Sequence, residues 1–78
     1  MTEFDNLKRS YSFAVQFLLA GNVGYHNAKA ANEVLHKFYE NMVENSFYSD
    51  MDKAAMKFQL EVLKEAFSEE IKSVYHMR

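Results

Sequence analysis

The stretch Gly21-Asn22-Val23-Gly24 holds both glycines of this 78-residue chain, which contains no proline. Glycine and proline are the residues that most strongly interrupt a helix, and in this chain they occur only in this one place. On either side of the stretch, apolar residues recur at three- and four-residue spacing, which is typical of amphipathic helices. The sequence therefore predicts an all-α fold in a single helical domain, residues 1–78.

Three helices are predicted, over residues 3–20, 28–45 and 50–77. Thr2 is expected to cap the first helix, and Gly21 to end it as the C′ residue. Asn27 is expected to cap the second helix. Ser49 is expected to cap the third, with Asp52 at the capping-box position.

The helical period also predicts which residues face the core. On the second helix the expected inner face comprises Ala28, Ala31, Leu35, Phe38 and Met42. On the third helix it comprises Met56, Leu60, Leu63, Phe67, Ile71 and Val74. Phe47 and Tyr48, in the turn between these helices, are expected to fold back over the core. The predicted architecture is a three-helix bundle.

The predicted helices differ in length. At about 1.5 Å per residue, the first two span about 27–29 Å and the third about 40 Å. With a turn at Phe47 and Tyr48, the third helix would project beyond the bundle from about Phe67 onward. Its last two turns would expose the apolar residues Ile71, Val74, Tyr75 and Met77. We predict that self-association covers them, with a dimer favoured; a bend at Ser68 or fraying are the alternatives.

Composition excludes several classes of protein. The chain has no cysteine, so it forms neither disulfides nor a zinc site built on thiolates. Its formal net charge of −2 gives no general attraction to nucleic acid or anionic lipid. The acidic start of the sequence is unlike a signal peptide, and the longest apolar runs are four residues, too short to span a membrane. We expect a soluble cytoplasmic protein.

The sequence contains no pattern that predicts catalysis. Glu33 and His36 have the spacing of ligands in di-iron bundles, but a second copy is missing and Glu33 is expected to face solvent. His26, His36 and His76 share no short spacing, and no nucleophile motif accompanies them. We therefore expect a protein that is not an enzyme and that uses no metal or cofactor.

The segment Gly21–Lys29 raises two further hypotheses. A glycine-containing loop that leads into a helix N-terminus favours anions, and Tyr25, His26 and Lys29 could hold a nucleotide-like ligand there. The simpler interpretation is a turn without a ligand. The same loop permits a DNA-binding helix-turn-helix with Lys29, Asn32 and His36 on its recognition helix. Nucleic acid is the less favoured partner because glutamates occupy the rest of that helix.

The second turn carries the leading functional hypothesis. Acidic residues surround Phe47 and Tyr48 there: Glu40, Glu44, Asp50 and Asp52. Aromatic side chains inside an acidic rim suit a basic protein surface. We predict a non-enzymatic interaction module, a regulator or inhibitor that binds a larger protein, with Phe47, Tyr48, Glu44 and Asp50 as the contact residues. The loop at Tyr25 is the alternative contact surface. A solvated turn with no partner is the plainer alternative.

Overall fold

A computed structural model describes residues 2–76, and all of these are helical except residues 21–24 and 45–49. The helices are α1 (Thr2–Ala20), α2 (Tyr25–Glu44) and α3 (Asp50–His76). No strand occurs within this described part of the chain, so the prediction of an all-α fold with three helices is confirmed. The bounds of α1 and α3 agree with those predicted to within one residue, whereas α2 begins three residues earlier than expected.

Contacts between side chains fix the directions of the helices. The amine of Lys8 donates to Gln59 and the amide of Gln16 donates to Glu70, so α1 and α3 run in the same direction. The ring of Tyr25, at the start of α2, lies against that of His76, at the end of α3. The helix α2 therefore runs in the opposite direction to α3. The molecule is therefore an up-down-up bundle, 44 Å long and 17 × 16 Å across.

The core lies along the axis shared by the three helices. Its buried members are Phe4, Tyr11, Val15, Tyr39, Val43, Met56 and Leu60. Tyr11 is central: its ring stacks on Tyr39 at 5.3 Å between centroids and meets the edge of Phe67 at 4.8 Å. Aromatic rings in these arrangements stabilise a core beyond the area that they bury.

A buried polar network joins all three helices. The Tyr11 hydroxyl donates to the side-chain oxygen of Asn32 at 2.6 Å, and the Asn32 amide donates to the backbone oxygen of Lys64 at 3.2 Å. Burial, and then the nearby Glu61 carboxylate and Tyr39, raise the pKa of the Tyr11 hydroxyl well above its ordinary range. The network gives these buried polar groups partners, as a stable core requires.

The loop between α1 and α2 differs in detail from the prediction. α1 ends at Ala20 as expected, but the residue that adopts the left-handed conformation is Asn22, with φ of 51°, and not Gly21. The N-cap of α2 is Gly24, with φ of 99°, and not Asn27. Asn27 lies inside the helix, where its side chain donates to the backbone oxygen of Val23.

The C-terminal part of α3 is covered by its own chain. The helix is continuous through Ser68, and Ile71 is only 1% exposed. Because α2 begins early, Tyr25 reaches the end of α3, and the backbone N–H of Gly24 donates to the Tyr75 hydroxyl at 3.3 Å. The expectation that this end would project uncovered is therefore wrong.

Two of the other residues proposed for self-association, Val74 and Tyr75, are less exposed than expected. Val74 and Tyr75 are half-buried, and Met77 lies outside the described residues. Self-association through this end stays a prediction, but the exposure that motivated it is not observed.

The buried face of α2 is also not the one predicted. The residues that face the core are Ala28, Asn32, His36, Tyr39 and Val43. Apart from Ala28, the predicted inner residues are half-buried or exposed, and Phe38 is 56% exposed. The observed face is displaced by one residue, which is a rotation of about 100° around the helix. It places Asn32 within reach of Tyr11 and Lys64.

Candidate functional site

Two apolar surfaces on the bundle are candidates for function. The first, the α1–α2 face, follows the outer side of the groove between these helices. Its exposed side chains are Phe13, Phe17, Val34, Phe38 and Met42. Half-buried side chains continue it into the groove: Leu7, Ala14, Leu18, Ala31 and Leu35. Its α2 half contains most of the residues that the helical period had predicted to face the core.

The α1–α2 face contains an open depression of about 590 Å³. Its lining is entirely apolar: Ala14, Phe17, Leu18, Ala31, Val34 and Leu35. Two of these residues are alanines, one from each helix, and their small side chains leave room for a larger group. Phe17 stands at its edge and is 79% exposed. The depression is therefore shaped to receive an apolar side chain from another molecule.

Charged residues are absent from this face. No Asp, Glu, Lys or Arg occurs between Arg9 and Lys29, which includes more than half of α1. On α2 the charged residues lie on the other side of the outer surface, given about 100° per residue. The uncharged run was the sequence signal that could have revealed the face, because a solvated helix normally carries charges on its outer side.

The second surface, the turn surface, lies at the opposite end of the molecule from the α1–α2 loop. It consists of Phe47 and Tyr48 with the first residues of α3, Asp50 and Met51. Phe47 is fully exposed, and Met51 is 83% exposed. The expectation that Phe47 folds back over the core is wrong, whereas Tyr48 does pack against it.

Hydrogen bonds hold the turn in one conformation. The Tyr48 hydroxyl donates to the Glu3 carboxylate at 3.0 Å, and partial burial together with this bond raises the pKa of Tyr48. The Ser46 hydroxyl donates to the backbone oxygen of Val43. Ser49 caps α3 by accepting the backbone N–H of Asp52 at 3.1 Å, which confirms the predicted cap. Phe47 is thus an exposed ring on a fixed backbone.

The acidic rim of the turn surface is smaller than the sequence predicted. Glu44 forms a salt bridge with Lys57, and the hydrogen bond from that amine lowers the pKa of the Glu44 carboxyl. Its charge is therefore already paired within the chain. Asp50 and Asp52 are exposed beside the aromatic residues. They are the acids that a partner would meet.

The residues proposed for an anionic ligand lie near the start of α2. His26 and Lys29 are exposed, and Tyr25 is half-buried. The Tyr25 ring is 5.3 Å from the His26 ring and 5.6 Å from the His76 ring. Tyr25 is thus held between two histidines. Binding of an anion here stays a prediction.

The residues proposed for DNA recognition do not form a surface. Asn32 and His36 are buried, so only Lys29 of that set is exposed. The Nε2 atom of His36 lies 3.1 Å from the Glu61 carboxylate, an ion pair when the imidazole is protonated. These two groups do not form a hydrogen bond, so the buried Nε2 atom of His36 has no hydrogen-bond partner.

Two other kinds of feature are absent from the described residues. Among residues 2–76, no group of three or more histidines, aspartates or glutamates is placed to hold a metal ion. Within the same part of the chain, no helix combines the length and apolar character needed to cross a bilayer. Comparisons with protein-family models, curated proteins and solved structures find no match to this chain.

Proposed function

We propose that this chain is a non-enzymatic interaction module, a small regulator or inhibitor that acts by binding a larger protein through its turn surface. The observation that carries the proposal is the complete exposure of Phe47 on a turn held by hydrogen bonds. The proposal includes the cytoplasmic location predicted from the sequence.

The fixed backbone favours Phe47 as an anchor for binding. Aromatic residues contribute strongly to protein interfaces because a single ring buries a large apolar area. Ordering a mobile loop would offset part of that gain, but the turn is already ordered by its contacts with Val43 and Glu3. Burial of Phe47 in a partner would therefore cost little backbone conformational entropy.

The charges around the ring indicate the kind of partner. Asp50 and Asp52 are exposed beside it, while Glu44 is paired with Lys57. Exposed carboxylates at the edge of an apolar contact favour a basic surface, and they act mainly on the rate of association. We infer that the partner offers an apolar pocket with lysine or arginine at its rim.

A photo-crosslinking amino acid at position 47 tests the proposal in the native host. The matched control carries the same amino acid at Phe58, which is also an exposed ring, 70% exposed, but lies on the outer side of α3. We expect position 47 to yield one dominant larger adduct that position 58 does not yield. Mass spectrometry then identifies the partner.

Affinity measurements with the purified partner complete the test. Phe47→Ala should weaken binding by about 30-fold or more, as expected for a central aromatic anchor, and Phe58→Ala should leave it unchanged. Asp50→Asn should slow association and reduce its dependence on salt. Identical adducts at the two positions, or equal affinities of Phe47→Ala and the unmodified chain, would refute the proposal.

A further inference from the structure

We infer that the α1–α2 face is the interface of a symmetric homodimer, in which the face of one copy packs against the same face of a second copy. This inference does not depend on the turn surface. It replaces the end of α3 with a different surface for self-association. Three features of the face support it: its area, its shape and its lack of charge.

The exposed area is sufficient for a dimer. A fully exposed aromatic side chain offers ~150–250 Å², so the five exposed side chains of the face offer on the order of 500–600 Å² per copy. Two copies would together bury on the order of 1,000–1,200 Å², which reaches the ~1,000 Å² expected of a specific interface. The chain also exposes more surface than a compact monomer of its mass, 5357 Å² compared with about 4,900 Å².

The shape of the face is self-complementary. It contains both a depression with alanines from two helices and exposed rings that could enter such a depression, Phe13, Phe17 and Phe38. In a dimer with two-fold symmetry, each copy offers the same projections and the same depression to the other. Two helices of each copy would then pack as a four-helix contact, in which side chains insert between those of the facing helices.

The absence of charge on the α1–α2 face favours a second copy of the chain as its partner. A partner recognised by charge would need acidic or basic residues on the face, and the exposed side chains there are apolar. A second copy satisfies the face with another uncharged apolar surface. Because the chain buries few large side chains on its own, association is also an effective way for so small a domain to gain stability.

Sedimentation of the full chain tests the inference directly. We expect a dimer of twice the 9.2 kDa chain mass, dissociating on dilution. Phe17→Glu and Phe38→Glu should each raise the dissociation constant about 100-fold or more, because each places a charge in an apolar contact. Phe58→Glu is the matched control, with similar exposure on α3, and should leave the dimer unchanged.

Thiol protection gives a second readout that requires no disruptive substitution. The chain has no cysteine, so a single cysteine can be introduced at Val34 on the face or at Val62 on α3. Both positions are exposed. Maleimide should label position 34 progressively more slowly as protein concentration rises, while labelling at position 62 should not change.

The outcomes separate clearly. Circular dichroism must show that the glutamate variants remain helical, so that loss of the dimer is not loss of the fold. A chain that stays monomeric at every concentration up to about 1 mM would overturn the inference, and so would a dimer that Phe58→Glu disrupts as strongly as Phe17→Glu. A monomer that binds phosphatidylcholine vesicles through the face would overturn it in favour of a lipid surface. None of these results alters the crosslinking test at position 47.

Discussion

The inner and outer faces of α2 distribute polarity in opposite ways. The inner face packs in the bundle, yet it contains Asn32 and His36 among Tyr39 and Val43. The outer face, which α2 contributes to the α1–α2 face, is formed by apolar residues and remains at the surface. Of these two stripes the more polar one is buried, and the charged residues of α2 lie on a third, solvent-facing side.

Hydrogen bonding explains how Asn32, in the polar stripe, can be buried. Asn32 joins Tyr11 on α1 to the backbone of α3 at Lys64, so its amide group has partners on both neighbouring helices. A buried polar group with partners costs little, and it disfavours alternative packings in which those partners are lost. The outer stripe is apolar and has no polar groups that need hydrogen-bond partners within the bundle. It can therefore contact another molecule. The following substitutions test this contrast, beginning with the largest expected effect.

Adjacent aromatic residues on the two faces give the sharpest test. Tyr39→Ala removes a buried ring and should reduce the free energy of unfolding by about 3–5 kcal/mol. Phe38→Ala removes an exposed ring and should reduce it by less than about 1 kcal/mol. Urea unfolding followed by circular dichroism, at concentrations low enough to exclude association, measures both values. Equal losses would show that the two faces are not distinguished as the structure describes.

The asparagine on the inner face should also be important for stability. Asn32→Ala removes the side-chain donor to the Lys64 carbonyl and the side-chain acceptor of the Tyr11 hydroxyl. We expect a loss of about 2–3 kcal/mol in the free energy of unfolding. Asn41→Ala, an exposed position on the same helix, is the matched control and should change it by less than about 0.5 kcal/mol. A similar small effect at both positions would contradict a structural role for the network.

The hydroxyl of Tyr11 should make the stability dependent on alkaline pH. In the unfolded chain a tyrosine releases its proton near its ordinary pKa of about 10, whereas burial keeps Tyr11 protonated in the folded chain to higher pH. Above about pH 10 the unfolded state therefore binds fewer protons, and the free energy of unfolding falls as pH rises. Below that pH the contribution is fully present.

Tyr11→Phe isolates this effect. The variant should lose about 1–2 kcal/mol at neutral pH, because Asn32 loses its donor, and should show a shallower decline in alkaline solution. Tyr48, whose pKa is also raised, is unchanged in the variant. Urea unfolding at several values between about pH 8 and pH 11 measures the slope. Parallel pH profiles for the two proteins would contradict the assignment.

The sequence predicted the number and extent of the helices better than it predicted which face of α2 is buried. Glycines, caps and apolar spacing are local signals, so the number of helices, the end of α1 and the Ser49 cap were all predicted correctly. The choice of buried face depends on contacts between residues far apart in sequence. Nothing in the period of α2 indicates that Asn32 would meet Tyr11 and Lys64 across the bundle.

The candidate surfaces show the same division. The turn surface was identified from local composition, and the structure corrects its details: Phe47 projects from the core and Glu44 pairs with Lys57. The α1–α2 face was missed because most of its α2 residues, Ala31, Leu35, Phe38 and Met42, were assigned to the core. The expected exposure of Ile71 was likewise wrong, because it depended on a pairing between α2 and α3 that the early start of α2 changes.

The smallest expected change in the free energy of unfolding tests at which residue α2 begins. Ser49 accepts a backbone N–H as the cap of α3, whereas Asn27 lies within α2 and its side chain contacts only the preceding turn at Val23. Ser49→Ala should therefore reduce the free energy of unfolding by about 1 kcal/mol, and Asn27→Ala by less than about 0.5 kcal/mol. If Asn27→Ala instead had the larger effect in urea unfolding, α2 would begin at the residue after Asn27. Tyr25 would then no longer be part of the helix, and its contact with the end of α3 would have to be explained by the loop alone.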